Sequence, residues 1–146
     1  MGIWKRLDLD PAIHRMVALV GGGGKSSTMY AIAKQAADSG RTVVVTTTTH
    51  ILPHPGLPLA GNPAQLAALL QAHPVVTLGA YDSRGKLTGA ADPAACLELA
   101  DVVLIEADGA KLRPLKAPAD HEPVIPPSCH AVIASAGLDC LGKPVE

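Results

Sequence analysis

The stretch "VALVGGGGKSSTMY", residues 17–30, decides how the rest of the chain is read. An apolar run passes into four consecutive glycines, then a lysine and two serines, then apolar residues at helical spacing. A turn needs one or two glycines to reach positive φ, and more of them loosen the chain unless something must approach its backbone. Four glycines between a strand and a helix let several backbone N–H groups face one concavity at the positive end of the helix. That arrangement binds phosphate without net protein charge. On this reading Gly21, Gly22, Gly23, Gly24, Lys25, Ser26 and Ser27 form a nucleotide loop, with Lys25 against the β and γ phosphates and the Ser26 hydroxyl on Mg2+.

The spacing is G-x-x-G-K-S, two residues shorter than GxxxxGK[ST], which would place a glycine at Leu19. Short loops of this kind resemble those of the Mur ligase class of ATP-dependent enzymes. The plain alternative is a glycine-rich turn with a solvated lysine. A dinucleotide-binding turn fits less well, because Lys25 replaces the third glycine and the second apolar run does not end in an acidic residue.

Five continuous apolar runs read as buried strands: "MVALV" from Met16, "TVVVTTTT" from Thr42, "PVVTLG" from Pro74, "DVVLIEAD" from Asp101 and "HAVIASA" from His130. Continuity rather than alternation is expected when helices cover both faces of a parallel sheet. Met29, Ile32, Ala33 and Ala36 share a helical face, and Gly40 supplies a C-terminal stop. Asn62-Pro63 and Asp92-Pro93 each read as an N-cap followed by proline at the first helical position. The alternation predicts an α/β fold: a three-layer, P-loop NTPase-like domain with a mostly parallel sheet and ligands at the carboxyl ends of the strands. Residues 1–146 form a single P-loop nucleotide-binding domain on this reading. Only "GLDCLGKPVE" follows the fifth strand, too little for a helix to cover that edge, which suggests a chain lacking C-terminal residues of the full domain.

Composition narrows the partners. With 48% hydrophobic residues the chain supports a folded core, and twelve Lys+Arg against thirteen Asp+Glu leave no basic footprint for nucleic acid or an anionic membrane. Any anion must be bound locally. One Trp, two Tyr and no Phe provide no stacking platform for single strands. No run reaches the roughly 18 apolar residues of a membrane span, and "MGIWKRLDLD" lacks a signal-peptide core, so a cytoplasmic protein is expected. Cys96, Cys129 and Cys140, an odd number without paired spacing, read as reduced thiols.

A phosphate loop needs a carboxylate near its metal, and "VVLIEADG" supplies Glu106 and Asp108 at the end of an apolar strand, like a Walker B strand. Strand alternation sends both to one side, where each could address Mg2+, a water or the loop hydroxyls. Thr48 and Thr49, at the end of "TTTT", reach the same edge and could sense a γ-phosphate or complete a metal shell. His50 and His54 are spaced H-x3-H, but Pro53 between them spoils the helix a two-histidine metal site would use. Lys111, Arg113 and Lys116 form a local cationic run that could neutralise a transferring phosphoryl group or hold an acidic substrate. His121 and Glu122 follow in a proline-stiffened segment as a proton-transfer pair or a docking element.

In that order "VGGGGKSS", "VTTTTHI", "VLIEADGAKLRPLKAPADHEPVIP" and "GLDCLGKP" resemble the YqeC family of selenium-dependent hydroxylase accessory proteins, and the likeness spans nearly the whole chain. The resemblance implies a cytoplasmic P-loop nucleotide-binding protein linked to maturation of selenium-dependent molybdenum hydroxylases. It also implies that family members continue past this chain's end. Carried over by position, it marks residues 21–27, Thr48, Thr49, His50, residues 106–111 and residues 116–122.

The function expected first is an NTP-dependent accessory factor. Mg-NTP sits on residues 21–27, Lys25, Glu106 and Asp108 are the candidate catalytic residues, and Ser26, Glu106 and Asp108 are the candidate metal ligands. Lys111 and Lys116 are further phosphate contacts, and the hydroxylase or its cofactor is the partner. ATP is preferred to GTP because N-K-x-D is absent. Two rivals stand beside it: a non-hydrolysing nucleotide-dependent binding module or chaperone, and a kinase or ligase acting on a small acidic substrate.

Overall fold

The computed structural model describes residues 2–109 and 111–144. In chain order its elements are α1 (Ile3–Arg6), β1 (Met16–Gly21), α2 (Lys25–Asp38), β2 (Val43–Thr47), β3 (His50–Ile51), β4 (Leu59–Ala60), α3 (Pro63–Leu70), β5 (Val75–Leu78), β6 (Ala80–Tyr81), β7 (Leu87–Thr88), β8 (Val102–Glu106) and β9 (Ala131–Ser135). The fold is α/β, with few helices. Six strands form one sheet in the order β4-β5-β2-β8-β1-β9, and every pairing in it is parallel. All five runs read as strands from the sequence lie in this sheet. A second, three-stranded antiparallel sheet, β3-β7-β6, stands beside it and was not expected.

Each central strand buries both of its faces, which is why the runs are continuous rather than alternating. Val17, Leu19, Val43, Val45, Val102 and Leu104 face α2, where Met29, Ile32, Ala33 and Ala36 are nearly fully buried. The two alanines bring the helix close to the sheet. Met16, Ala18, Val44, Val76, Val103 and Ile105 face the other way, against Leu66 and Leu70 of α3 and Cys96. At the edge, β9 buries only Ile133, and Val132 stays exposed.

Both sequence-read caps form. Asn62 accepts from the Gln65 N–H with Pro63 at the first position, and Asp92 accepts from the Ala94 N–H. The segment that Asp92-Pro93 opens is a 3-10 helix, Pro93–Glu98, rather than an α-helix. At the other end of the chain α1 was not foreseen. Its Trp4 is buried, donates from Nε1 to the Ile32 carbonyl at 2.8 Å and pins the short helix on α2. Among the described residues no helix is long and apolar enough to cross a membrane.

Candidate functional site

β1 and β8 are neighbours, with Leu19 opposite Glu106, so the glycine loop and the "EAD" turn leave the sheet side by side. The sequence-read juxtaposition of Lys25, Ser26, Glu106 and Asp108 is thus present. Lys25 is 3% exposed, and its ammonium meets Asp108 Oδ1 at 2.7 Å, the Gly21 carbonyl at 2.8 Å and Glu106 Oε1 at 4.0 Å. Asp108 is also buried and accepts from the Gly21 N–H through Oδ2 at 2.8 Å. The Ser26 hydroxyl donates to Glu106 Oε2 at 3.4 Å.

These contacts separate two carboxylates that the sequence could not tell apart. Asp108 is committed to the loop backbone and the lysine, so it positions both. Glu106 lies nearer the surface beside a hydroxyl, the place a cation or water would enter. Burial pushes the Glu106 carboxyl above the usual glutamate range; Asp108 adds to the shift, while Lys25 and Ser26 oppose it. Tyr30, one turn along α2, has its phenol pushed up by burial and by the Glu106 charge.

A second layer closes over the loop. The Pro114 carbonyl accepts from the Gly23 N–H at 3.0 Å and the Gly137 N–H at 2.6 Å, while the Ser135 carbonyl accepts from the Gly22 N–H at 2.8 Å. A Cβ on Gly21 would collide with the Ser135 carbonyl, and one on Gly22 with the Pro114 carbonyl. Gly24 has φ +91 at the entry to α2. Much of the glycine excess therefore serves the close approach of the chain's own backbone. That approach is the signal the sequence could not reveal, since neither Pro114 nor Ser135 belongs to a recognisable phosphate motif.

Lys116 reaches into the same site. Its ammonium pairs with Glu122 Oε2 at 2.6 Å, lies 3.8 Å from Asp108 Oδ2 and donates to the Gly109 carbonyl, while Glu122 Oε1 accepts from the Gly109 N–H at 3.3 Å. The hydrogen bond from Lys116 holds the Glu122 carboxyl below its usual range. Two ammonium groups thus face three carboxylates, a surplus of negative charge that a divalent cation would reverse.

The remaining sequence-read residues are placed less centrally. The Thr48 hydroxyl donates to the Val124 carbonyl at 2.6 Å, and Thr49 turns back onto Thr47, whose own hydroxyl donates to the Glu106 carbonyl at 2.7 Å. Ser27 and Lys111 are exposed. His50 and His54 diverge: His50 lies 3.7 Å from Asp82, and His54 packs on the Tyr30 ring. Among the described residues no three His, Cys, Asp or Glu side chains gather as a metal cluster. Ser26 and Glu106 are the side chains placed to hold a cation here.

The fold and site define a class: an α/β protein whose glycine-rich strand-to-helix loop faces two carboxylates at the end of the adjoining strand and just beyond it. The chain belongs to the YqeC family, described as YqeC protein, whose pattern matches residues 17–146. It is similar to Uncharacterized protein YqeC of Escherichia coli (strain K12), 37% identical over 140 residues that cover 90% of this chain and 55% of that protein. The chain spans about half the length of this curated relative. No solved structure matches it.

Proposed function

We propose that this chain is a three-layer, P-loop NTPase-like domain that binds a nucleoside triphosphate with Mg2+ and serves, in the cytoplasm, the maturation of selenium-dependent molybdenum hydroxylases. The observation that carries the nucleotide reading is the gathering of Lys25, Ser26, Glu106 and Asp108 where two adjacent parallel strands end. The family resemblance alone carries the hydroxylase role. Ser26 and Glu106 would hold Mg2+, which when bound supplies the charge that neutralises the terminal phosphates. Asp108 holds Lys25 and the loop in place, Lys25 presents its ammonium to the terminal phosphates from that position, and Glu106 orients an attacking water. ATP is preferred to GTP for want of N-K-x-D.

A second reading, a non-hydrolysing binding module, draws on the Pro114 carbonyl. That oxygen accepts from the Gly23 N–H of the loop, a donor that a phosphate oxygen would use. Phosphate binding then lifts the segment around Pro114, and the nucleotide governs its position as a switch does.

Calorimetry with ATP and GTP, with and without Mg2+, on wild type, Lys25→Ala and Ser26→Ala tests the nucleotide reading, with melting curves to verify folding. Expected are Mg2+-dependent binding in wild type, loss in folded Lys25→Ala and loss of the Mg2+ dependence in Ser26→Ala. Unchanged affinity in both variants would sink it. Phosphate release on the same samples then separates hydrolysis from switching.

A further inference from the structure

A cleft of about 430 Å3 opens on the β9 side of the glycine loop, within the roughly 300–1,000 Å3 range of small-molecule sites. Its walls come from three places: Ile3, Arg6 and Leu7 around α1, Ile133 and its neighbours on β9, and Gly23, Gly24 and Thr28 of the loop and first turn of α2. The loop residues make this cleft continuous with the proposed phosphate site. The carboxylates lie on the loop's other side, where β8 ends, so the proposed cation site and the cleft lie on opposite flanks.

The chemistry of the walls is selective. Ile3, Leu7 and Ile133 are apolar, Thr28 is half-buried with a hydroxyl, and Arg6 is exposed. Among the described residues Arg6 forms no ion pair. A planar guanidinium beside an apolar slot fits the face of a heteroaromatic ring. α1 is itself fastened to α2 by Trp4, so Arg6 is presented on an anchored element.

We propose that this cleft is the nucleoside subsite: the base of the bound nucleotide lies between Arg6 and the apolar wall formed by Ile3, Leu7 and Ile133, and the ribose passes Thr28. The inference rests on the nucleotide reading above and adds where the nucleoside goes. It gives α1 a role in binding, outside the glycine loop and the "EAD" turn.

The test compares ATP and GTP with inorganic tripolyphosphate, all with Mg2+, by calorimetry on wild type, Arg6→Ala and Thr28→Trp. Tripolyphosphate reports the loop alone, and the excess affinity of a nucleotide over it reports the cleft. Expected is an excess in wild type that falls about tenfold in Arg6→Ala and disappears in Thr28→Trp, whose indole fills the slot, while tripolyphosphate affinity holds in both. An excess that persists in both variants, or no excess in wild type, overturns the subsite but spares the loop. Absence of all binding in wild type overturns the nucleotide reading itself and the subsite with it. A parallel fall of both ligands in Thr28→Trp together with an unchanged Arg6→Ala also overturns the subsite.

Discussion

Two proline-rich segments cross the carboxyl edge of the sheet, residues 50–63 and 111–124, and in sequence they look alike. The first is built into the fold. Its His50 and Ile51 pair with β7, Leu59 and Ala60 pair with β5, Leu57 packs on the α2 core and Ala60 is fully buried. The second lies on the surface, with Leu112, Leu115 and Val124 exposed, and it is held by polar contacts: the Pro114 and Val124 carbonyls, the Lys116–Glu122 pair and the Val124 N–H. Apolar burial and strand pairing have no substitute in a ligand. A carbonyl on a glycine N–H has one, because a phosphate oxygen accepts the same hydrogen bond. Proline content alone therefore does not distinguish a structural crossing from an exchangeable cover.

An exchangeable cover needs a support that does not exchange, and Asp108 is that support. Asp108→Ala leaves Lys25 buried with Glu106 4.0 Å away and removes the acceptor of the Gly21 N–H. Breaking one partner of a buried ion pair costs about 3–5 kcal/mol. Denaturant melts should show a loss of that size, the largest effect expected here. A loss near that of an exposed pair would mean that Lys25 escapes to water and that the loop is as loosely held as its cover.

Gly22→Ala addresses the cover directly. The added methyl meets the Pro114 carbonyl, so the second segment must lift, at about 1–3 kcal/mol by analogy with overpacking. Trypsin reads the outcome: Lys111 and Lys116 lie in the second segment, while residues 42–83 contain no Lys or Arg. Cleavage after Lys111 and Lys116 should quicken in a chain that remains folded. Unfolding without local cleavage would make the second segment as structural as the first and erase the comparison.

Much of this was legible in the sequence, for physical reasons that can be named. Five continuous apolar runs became strands of the parallel sheet, the four inside it because each buries two faces, and Asn62, Asp92 and Gly40 stand at helix ends because their side chains or φ suit those ends. Lys25, Ser26, Glu106 and Asp108 meet because strand order brings β1 beside β8. The roles of the Pro114 and Ser135 carbonyls are not legible in the sequence, because any residue has a carbonyl and no residue type marks it. The two-residue strands β3, β6 and β7 were too short for periodicity to register. Trp4 gave no clue to its role because its partner is a backbone oxygen on another helix.

The smallest expected effect carries a sign that sharpens the contrast between the support and its cover. Glu106, beside Asp108, has its carboxyl raised above the unfolded value, chiefly by burial. Its contribution to stability is present below the unfolded pKa and lost as pH rises through the folded one, so at neutral pH the fold carries a carboxylate it disfavours. Glu106→Gln should therefore melt slightly above wild type at neutral pH, with the advantage vanishing below the ordinary glutamate range, where both side chains are neutral. Glu122, in the cover, has its carboxyl lowered by Lys116, so its contribution is present above the unfolded pKa and lost as pH falls through the folded one. Glu122→Gln should melt slightly below wild type at neutral pH and converge with it in acid. Opposite signs from two glutamates that share one charge cluster would identify Glu106 as the group that gains from a cation and Glu122 as the group already satisfied by the protein. A Glu106→Gln variant that melts lower at neutral pH would show instead that Lys25 and Ser26 satisfy the carboxylate, leaving it no gain from Mg2+.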